Sequence, residues 1–340
     1  MSWRPTTSLW RLATTVLWLL LGLLVAAALL HGAGVRDWPF ELVHHFVPHL
    51  TAGAAALALA GLLTKRRRAA ALAVLLSCLF ALAWGSAPLV PARPSPAAGA
   101  ATGAGPGTLI RQGSSLTLLT HNVYVLNRQQ DALLAWLTAG PADVVALQEV
   151  NPRLIERLRR AEDGYPWRMI AEDEFISGRW RSSEAIAILS RYPIVDERRL
   201  EPWAKGWQTA FVRLELPDGV RPWIVAVHAP SPLYADNQPI RDLILQHLAP
   251  VVAALEPPVI VLGDFNATPF TPAFRAFVAA AGLSTDQGLP ATYPARAGAL
   301  GLAIDHVLVR GADLLRLQAL PGRGSDHRAL TATVVLPAPG

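Results

Sequence analysis

The chain has 340 residues, with 30 Lys and Arg against 25 Asp and Glu, and 52% of it is hydrophobic. Its single cysteine, Cys78, excludes an intramolecular disulfide and leaves the redox compartment undecided. Seven basic and two acidic residues lie in residues 1–90, so the formal excess of +5 belongs there; the remainder, with 23 of each sign, lacks the broad basic footprint of an avid duplex binder.

Residues 13–30, 46–63 and 69–90 are apolar runs, each approaching or meeting the roughly 20 residues that cross a bilayer. They predict three transmembrane helices and a membrane anchor over residues 1–90. The first run is longer than the apolar segment of a signal peptide, and two more follow it. Arg4 and Arg11 precede the first helix, and Lys65, Arg66, Arg67 and Arg68 separate the second from the third. The positive-inside rule then puts the N-terminus and this basic loop in the cytoplasm, and everything after residue 90 on the extracytoplasmic side, periplasmic or cell-exterior. His44, His45 and His49 at the entrance of the second run read as interfacial polar residues ahead of metal ligands.

Residues 91–114 consist largely of Pro, Ala, Gly and Ser and read as a linker. Residues 115–336 suffice for one domain with a substantial core. Strands are predicted at 116–123, 143–150, 185–190, 209–216, 223–229, 258–264, 306–310 and 329–336. Helices are predicted at about 235–254 and 270–281, and between the first two strands, where Leu133, Leu134, Trp136 and Leu137 form an apolar stripe. Many strands with few helices between the middle ones predict an α/β domain of packed mixed sheets.

Polar residues gather where these strands end. Val259 to Leu262 run into Gly263, Asp264 and Asn266, and a carboxylate and a carboxamide two residues apart emerge on one side of an extended segment. That suits a hard-cation site or a water aligned on phosphorus; the same residues also make a β-turn. The first strand ends in His121 and Asn122, the second in Gln148 and Glu149. His228 closes the strand over 223–229, Asp305 and His306 open another, and Asp326 and His327 precede the last. Each cluster alone reads as a turn or a capped end, but ligand sites of α/β proteins collect at strand ends.

The segments Thr-His-Asn-Val, Leu-Gln-Glu-Val, Gly-Asp-Phe-Asn-Ala-Thr-Pro, Ile-Asp-His-Val and Ser-Asp-His-Arg-Ala, in this order, resemble the endonuclease/exonuclease/phosphatase superfamily of DNase I-like proteins. The resemblance implies a four-layer α/β sandwich, two mixed sheets face to face with helices outside, and a divalent-metal-dependent phosphoesterase. By the same resemblance Glu149 is the main ligand of Mg²⁺ or Mn²⁺, helped by Asn122 and Asp326. Asp264 orients or deprotonates the attacking water, Asn266 holds the phosphoryl group, and His327, oriented by Asp305, contacts the phosphate. His228 donates to a phosphate oxygen or the leaving group.

The chain departs from the family's pattern in two places. Ala226 and Val227 stand before His228 where Asn-Thr is common, and a Gly is absent from the stretch at 182–191. Glu184 reads as solvent-facing, His306 as structural, Trp223 as core, and Trp203 and Trp207, flanking Lys205, as exposed; Trp167 and Trp180 remain open between core and surface. The expected function is a membrane-anchored hydrolase of phosphodiesters, with a lipid or lipid-like substrate ahead of nucleic acid. A tethered domain that only binds is the non-enzymatic alternative.

Overall fold

The computed structural model describes residues 7–85, 114–161, 164–172, 176–177, 180–181, 185–200, 209–285 and 289–338. Most of the expected linker, the end of the third apolar run, Glu184, Trp203 and Trp207 lie outside them. The chain forms two units.

The first unit holds helices α1 (Thr7–Gly32), α2 (Val47–Leu63) and α3 (Arg67–Gly85), with a 3-10 segment, Phe40–Phe46, leading into α2. Leu21, Leu24, Ala54, Ala58, Ala73 and Phe80 meet between the helices. Among the described residues two segments are long and apolar enough to cross a bilayer: Trp10–Gly32, of mean hydropathy 2.4, and Phe40–Leu63, of 1.7. The third expected span forms α3, but this helix starts on Arg67 and Arg68 and is not one of the two. His44 and His45 do not sit at an open interface. The 3-10 segment turns them inward, with His44 Nδ1 2.7 Å from His31 Nδ1 and its Nε2 2.7 Å from the Val35 carbonyl. His45 lies 3.5 Å from the Glu41 carboxylate.

Among the described residues the second unit contains thirteen strands: β1 (Ser115–Asn122), β2 (Val144–Val150), β3 (Trp167–Glu172), β4 (Ile176–Ser177), β5 (Trp180–Arg181), β6 (Ala185–Ser190), β7 (Ile194–Leu200), β8 (Thr209–Leu214), β9 (Trp223–His228), β10 (Val259–Asp264), β11 (Asp305–Arg310), β12 (Asp313–Leu320) and β13 (Ala329–Val335). Its helices are α4 (Gln130–Thr138), α5 (Pro152–Arg160), α6 (Asn237–Ala253) and α7 (Pro272–Ala280). One sheet runs β12-β13-β1-β2-β6-β3 and the other β11-β10-β9-β8-β7, with β4 and β5 a separate ribbon. The β1/β2 and β9/β10 pairs are parallel and the remaining neighbours antiparallel, so both sheets are mixed.

Strand alternation sorts the apolar side chains into layers. Leu116, Leu118, Val144 and Ala146 face Ile224, Ile260, Leu262 and Val307 across the gap between the sheets. The alternate residues Leu119, Val145 and Leu147 turn outward beneath Leu133 and Leu137 of α4 and Leu154 and Leu158 of α5. Val225, Val227 and Val261 meet Leu245 and Leu248 of α6 and Phe274 and Phe277 of α7. These are the four layers expected, and Trp223 lies in this outer core as read.

Strands β3, β7 and β12 and helix α5 were not expected from the sequence. β7, Ile-Val-Asp-Glu-Arg-Arg-Leu, and β12 are edge strands with much of their length exposed, so they lack a buried-strand pattern. α5 buries only Leu154, Ile155 and Leu158 among four arginines, a stripe too short to stand out.

Candidate active site

Four inward-facing rows of the inter-sheet core end in polar residues. Stepping by two along β1, β9 and β10 past the last apolar side chains reaches Asn122, His228 and Asp264, and β11 begins such a row at Asp305. Asp264 pairs in register with His228 on one side and Asp305 on the other. The sandwich therefore delivers these groups to one end of the gap between its sheets. Gly263 permits this close approach: its φ is 141°, and a Cβ there would lie 2.0 Å from the Val227 carbonyl oxygen.

Glu149 reaches the same place by a different route. The β2/β6 register slips between Leu147 and Val150, and Glu149 takes a left-handed φ of 56°. Such a bulge re-aims a side chain out of its row. Asn122 Nδ2 donates to Glu149 Oε1 at 2.8 Å and to Asp264 Oδ2 at 3.0 Å, while the Val125 amide donates to Glu149 Oε2 at 3.0 Å. His228 Nε2 lies 3.6 Å from Glu149 Oε1.

Asn266 is brought to Asp264 by a turn, the β-turn alternative read for this segment. The Asp264 Oδ1 accepts the Asn266 amide at 2.8 Å, and Asn266, with φ 47°, returns its Nδ2 to Asp264 Oδ2 at 3.1 Å and to the Ala229 carbonyl at 2.9 Å. Strained backbone of this kind at Glu149 and Asn266 is held in place by the surrounding hydrogen bonds.

His327 sits between two carboxylates. Its Nδ1 is 2.9 Å from Asp305 Oδ2, and its Nε2 is 3.7 Å from Asp264 Oδ2. Burial opposes its charge, but Asp305 and Asp264 outweigh burial and push the imidazole up to about 10. Burial likewise acts to raise the Asp305 carboxyl, and the His327 charge and hydrogen bond overcome it, leaving Asp305 below its ordinary value. Asp264 goes the other way, up to about 6, through burial first and the Asp305 charge second. Burial also raises Asp326, and the Glu149 charge adds to it.

Two cation arrangements are compatible with these oxygens. Asp264, Asp305 and His327 lie close enough together to form a ligand group. There, however, the His327 ring already spends Nδ1 on Asp305, and its own charge neutralises the carboxylates. Glu149, Asp326 and Asn122 offer hard oxygens, two of them mutually repelling, which suits a hard divalent ion better.

The structure brings together Asn122, Glu149, His228, Asp264, Asn266, Asp305 and His327 by these contacts, and Asp326 lies near enough for the Glu149 charge to act on it. His306 is structural, as read: buried beside Phe265 and Phe274, it shares a 2.8 Å hydrogen bond with the Ala267 carbonyl and burial lowers it to about 4. Three supporting residues were missed. The Ser325 hydroxyl donates to the Asn122 carbonyl at 2.7 Å and accepts the His327 amide at 3.0 Å. The Tyr293 ring lies 4.9 Å from that of His327. Arg241, fully buried on α6, donates to the Asn266 carbonyl at 3.2 Å while paired with Asp242 at 2.7 Å. Within an ordinary helical stretch, Arg-Asp gave no signal of this.

A family model described as the endonuclease/exonuclease/phosphatase family matches residues 119–327. No curated protein matches the sequence. Among solved structures, an endonuclease/exonuclease/phosphatase from Beutenbergia cavernae is 19% identical, with 66% of this chain and 72% of that one covered and a TM-score of 0.53. A family protein from Bacteroides thetaiotaomicron is 16% identical over 66% of this chain and 96% of its own, with a TM-score of 0.53. D. rerio TDP2, complexed with a single strand DNA product, is 17% identical over 65% of this chain and 99% of its own, with a TM-score of 0.51. At such identities these structures establish the shared fold alone. The matched family model spans more than half of the sequence and every residue of the site described above, and on that ground the chain belongs to the endonuclease/exonuclease/phosphatase family.

Proposed function

We propose that the chain is a membrane-anchored, divalent-metal-dependent hydrolase of phosphodiesters. The observation that carries this reading is the buried line Asp305, His327, Asp264, set beside the Glu149 and Asp326 carboxylates. Glu149 and Asp326, with Asn122, would hold Mg²⁺ or Mn²⁺, which when bound polarises a phosphoryl oxygen and offsets charge developing there. Asp264, ionised above its raised value of about 6, takes a proton from the attacking water. Asn266, fixed by its turn, holds the phosphoryl group near that water. His327, kept protonated by Asp305, donates to a phosphate oxygen through Nε2. His228, at the mouth beside Glu149, protonates the departing oxygen.

The anchor reading rests on the two apolar helices, with α3 completing three crossings and the basic segment Lys65 to Arg68 on the cytoplasmic side. A lipid or lipid-like substrate is favoured by that tether, by the neutral charge balance after residue 90, and by Leu126, Leu233 and Tyr234, large apolar side chains exposed on the loops that follow β1 and β9. A nuclease is the second reading, favoured by the single strand DNA product in the D. rerio TDP2 complex.

The test is cleavage of phospholipids and plasmid DNA, supplied together to the purified protein in detergent with Mg²⁺ or EDTA, and His327→Ala as control. Metal-dependent head-group release with intact DNA supports the lipid reading; DNA cleavage lost in the control supports the nuclease. If neither is cleaved, and bis(p-nitrophenyl) phosphate is also left intact, the hydrolase reading fails and a binding-only domain replaces it.

A further inference from the structure

Tyr293 lies against the site on a segment that the mechanism above leaves unused. Its backbone is fastened on two sides. Toward β11, the Thr292 amide donates to the Leu302 carbonyl at 2.8 Å, the Leu302 amide returns a bond to the Tyr293 carbonyl at 2.6 Å, and the Thr292 hydroxyl accepts the Asp305 amide at 3.3 Å. Toward β13, the Arg328 amide donates to the Thr292 carbonyl at 2.8 Å and the Ala295 amide to the Asp326 carbonyl at 2.6 Å. The segment is thereby tied to the residues on either side of His327, and Tyr293 keeps a fixed place relative to that imidazole.

The side chain is half-buried, with its ring 4.9 Å from the His327 ring and inclined to it by 44°. Its hydroxyl forms no hydrogen bond with any of the described residues. It nevertheless lies near enough for the charges of Asp326, Asp264 and Glu149 to act on it. Burial first, and then these carboxylates against Arg296, raise the phenol above its ordinary value and keep it a donor. The three carboxylates come from three different places, the end of β10, the bulge of β2 and the approach to β13. A group within reach of all three borders the space they enclose. Phe would serve equally well if the ring only packed on His327, whereas a phenolic O–H in a half-buried place normally has a partner.

We infer that Tyr293 is a further catalytic residue, whose hydroxyl donates to a non-bridging oxygen of the scissile phosphoryl group beside His327. An O–H that bonds to no protein group has no partner to give up when the phosphate arrives. Because its backbone is fixed, it stabilises charge on the phosphoryl oxygens without reorganising. Position decides against the departing oxygen: the ring packs on His327, which gives to the phosphoryl oxygens, while His228 stands beside Glu149. The inference rests on the hydrolase reading for its chemistry, but the contact with phosphate is measurable without turnover.

The experiment compares wild type with Y293F, which keeps the ring and removes the donor, in the full chain in neutral detergent with Mn²⁺. The kcat for bis(p-nitrophenyl) phosphate should fall about 10²-fold, the usual loss for one such donor, with KM changed by less. Mn²⁺ affinity and the melting midpoint should stay at their wild-type values. Diphenyl phosphate, which has the poorer leaving group, should suffer the same loss. Inorganic phosphate, titrated calorimetrically, should bind Y293F about ten-fold more weakly. Equal phosphate affinity in the two proteins overturns the inference, and so does an unchanged kcat. A loss that grows with diphenyl phosphate also overturns it, because the hydroxyl then serves the departing oxygen; a matching fall in Mn²⁺ affinity does so too, because Tyr293 then acts through the cation. Phosphate binding that depends on Tyr293 in a protein without turnover would sink the hydrolase reading and leave the contact standing; turnover and phosphate binding both indifferent to Y293F do the reverse.

Discussion

Asp305→Asn isolates what holds His327 in its working state. Both side chains are almost wholly removed from solvent, at 1% and 6% exposure, and their hydrogen bond is 2.9 Å. Deleting one charge of such a buried pair costs about 3–5 kcal/mol, and the amide oxygen, which still accepts the Nδ1 proton, should hold the loss near the lower figure. Catalysis should fall about 10²–10⁴-fold, because His327 loses the carboxylate that keeps it protonated and aimed. A second readout follows from the proton. His327 is raised from 6.5 to about 10 in the folded protein, so its contribution to stability is full below pH 6.5 and drains away as pH rises toward about 10. Removing the Asp305 charge lowers the folded value and flattens that decline. Denaturation midpoints in neutral detergent from pH 6 to pH 10, with turnover of bis(p-nitrophenyl) phosphate beside them, measure both effects. Near-normal turnover together with an undiminished alkaline decline would refute the role given to Asp305.

Other outcomes follow from the same geometry. Asp264→Asn should abolish hydrolysis while the protein stays folded, and the wild-type rate should drop on the acid side with a midpoint near 6, where the buried carboxyl takes up its proton; a flat profile through that region assigns the base elsewhere. Glu149→Gln and Asp326→Asn should each weaken Mn²⁺ binding at least about ten-fold in direct titration, and unchanged binding in both would move the cation to the Asp264 group. Gly263→Ala should cost more than about 3 kcal/mol, because its methyl would meet the Val227 carbonyl at 2.0 Å on a backbone of φ 141°; a wild-type melting midpoint would show that this strand pair yields more easily than its geometry suggests.

The features legible in the sequence are those that local pattern dictates. The strands of the inter-sheet core were readable because Val144 to Leu147 and Val259 to Leu262 are apolar on both faces, which only strands covered on both sides tolerate. The site was readable for the related reason that polar residues ending such runs have one place to go, the open end of the sandwich. What stayed hidden depends on partners far away in the chain. The turn of Glu149 exists because β2 bulges against β6, and nothing in Leu-Gln-Glu-Val announces that bulge. Arg241 lies 25 residues from the carbonyl it steadies, and Ser325 lies 203 residues from Asn122. The inward turn of His44 was hidden in the same way, since it requires His31 from the preceding helix. Sequence thus picked out the polar groups that the structure gathers at one end of the sandwich and passed over those that fix them there. Truncating Ser325 to Ala should accordingly slow turnover by weakening the posture of His327 while leaving Mn²⁺ affinity intact; a loss of Mn²⁺ binding instead would mean that Ser325 supports the cation through Asn122 and not the imidazole.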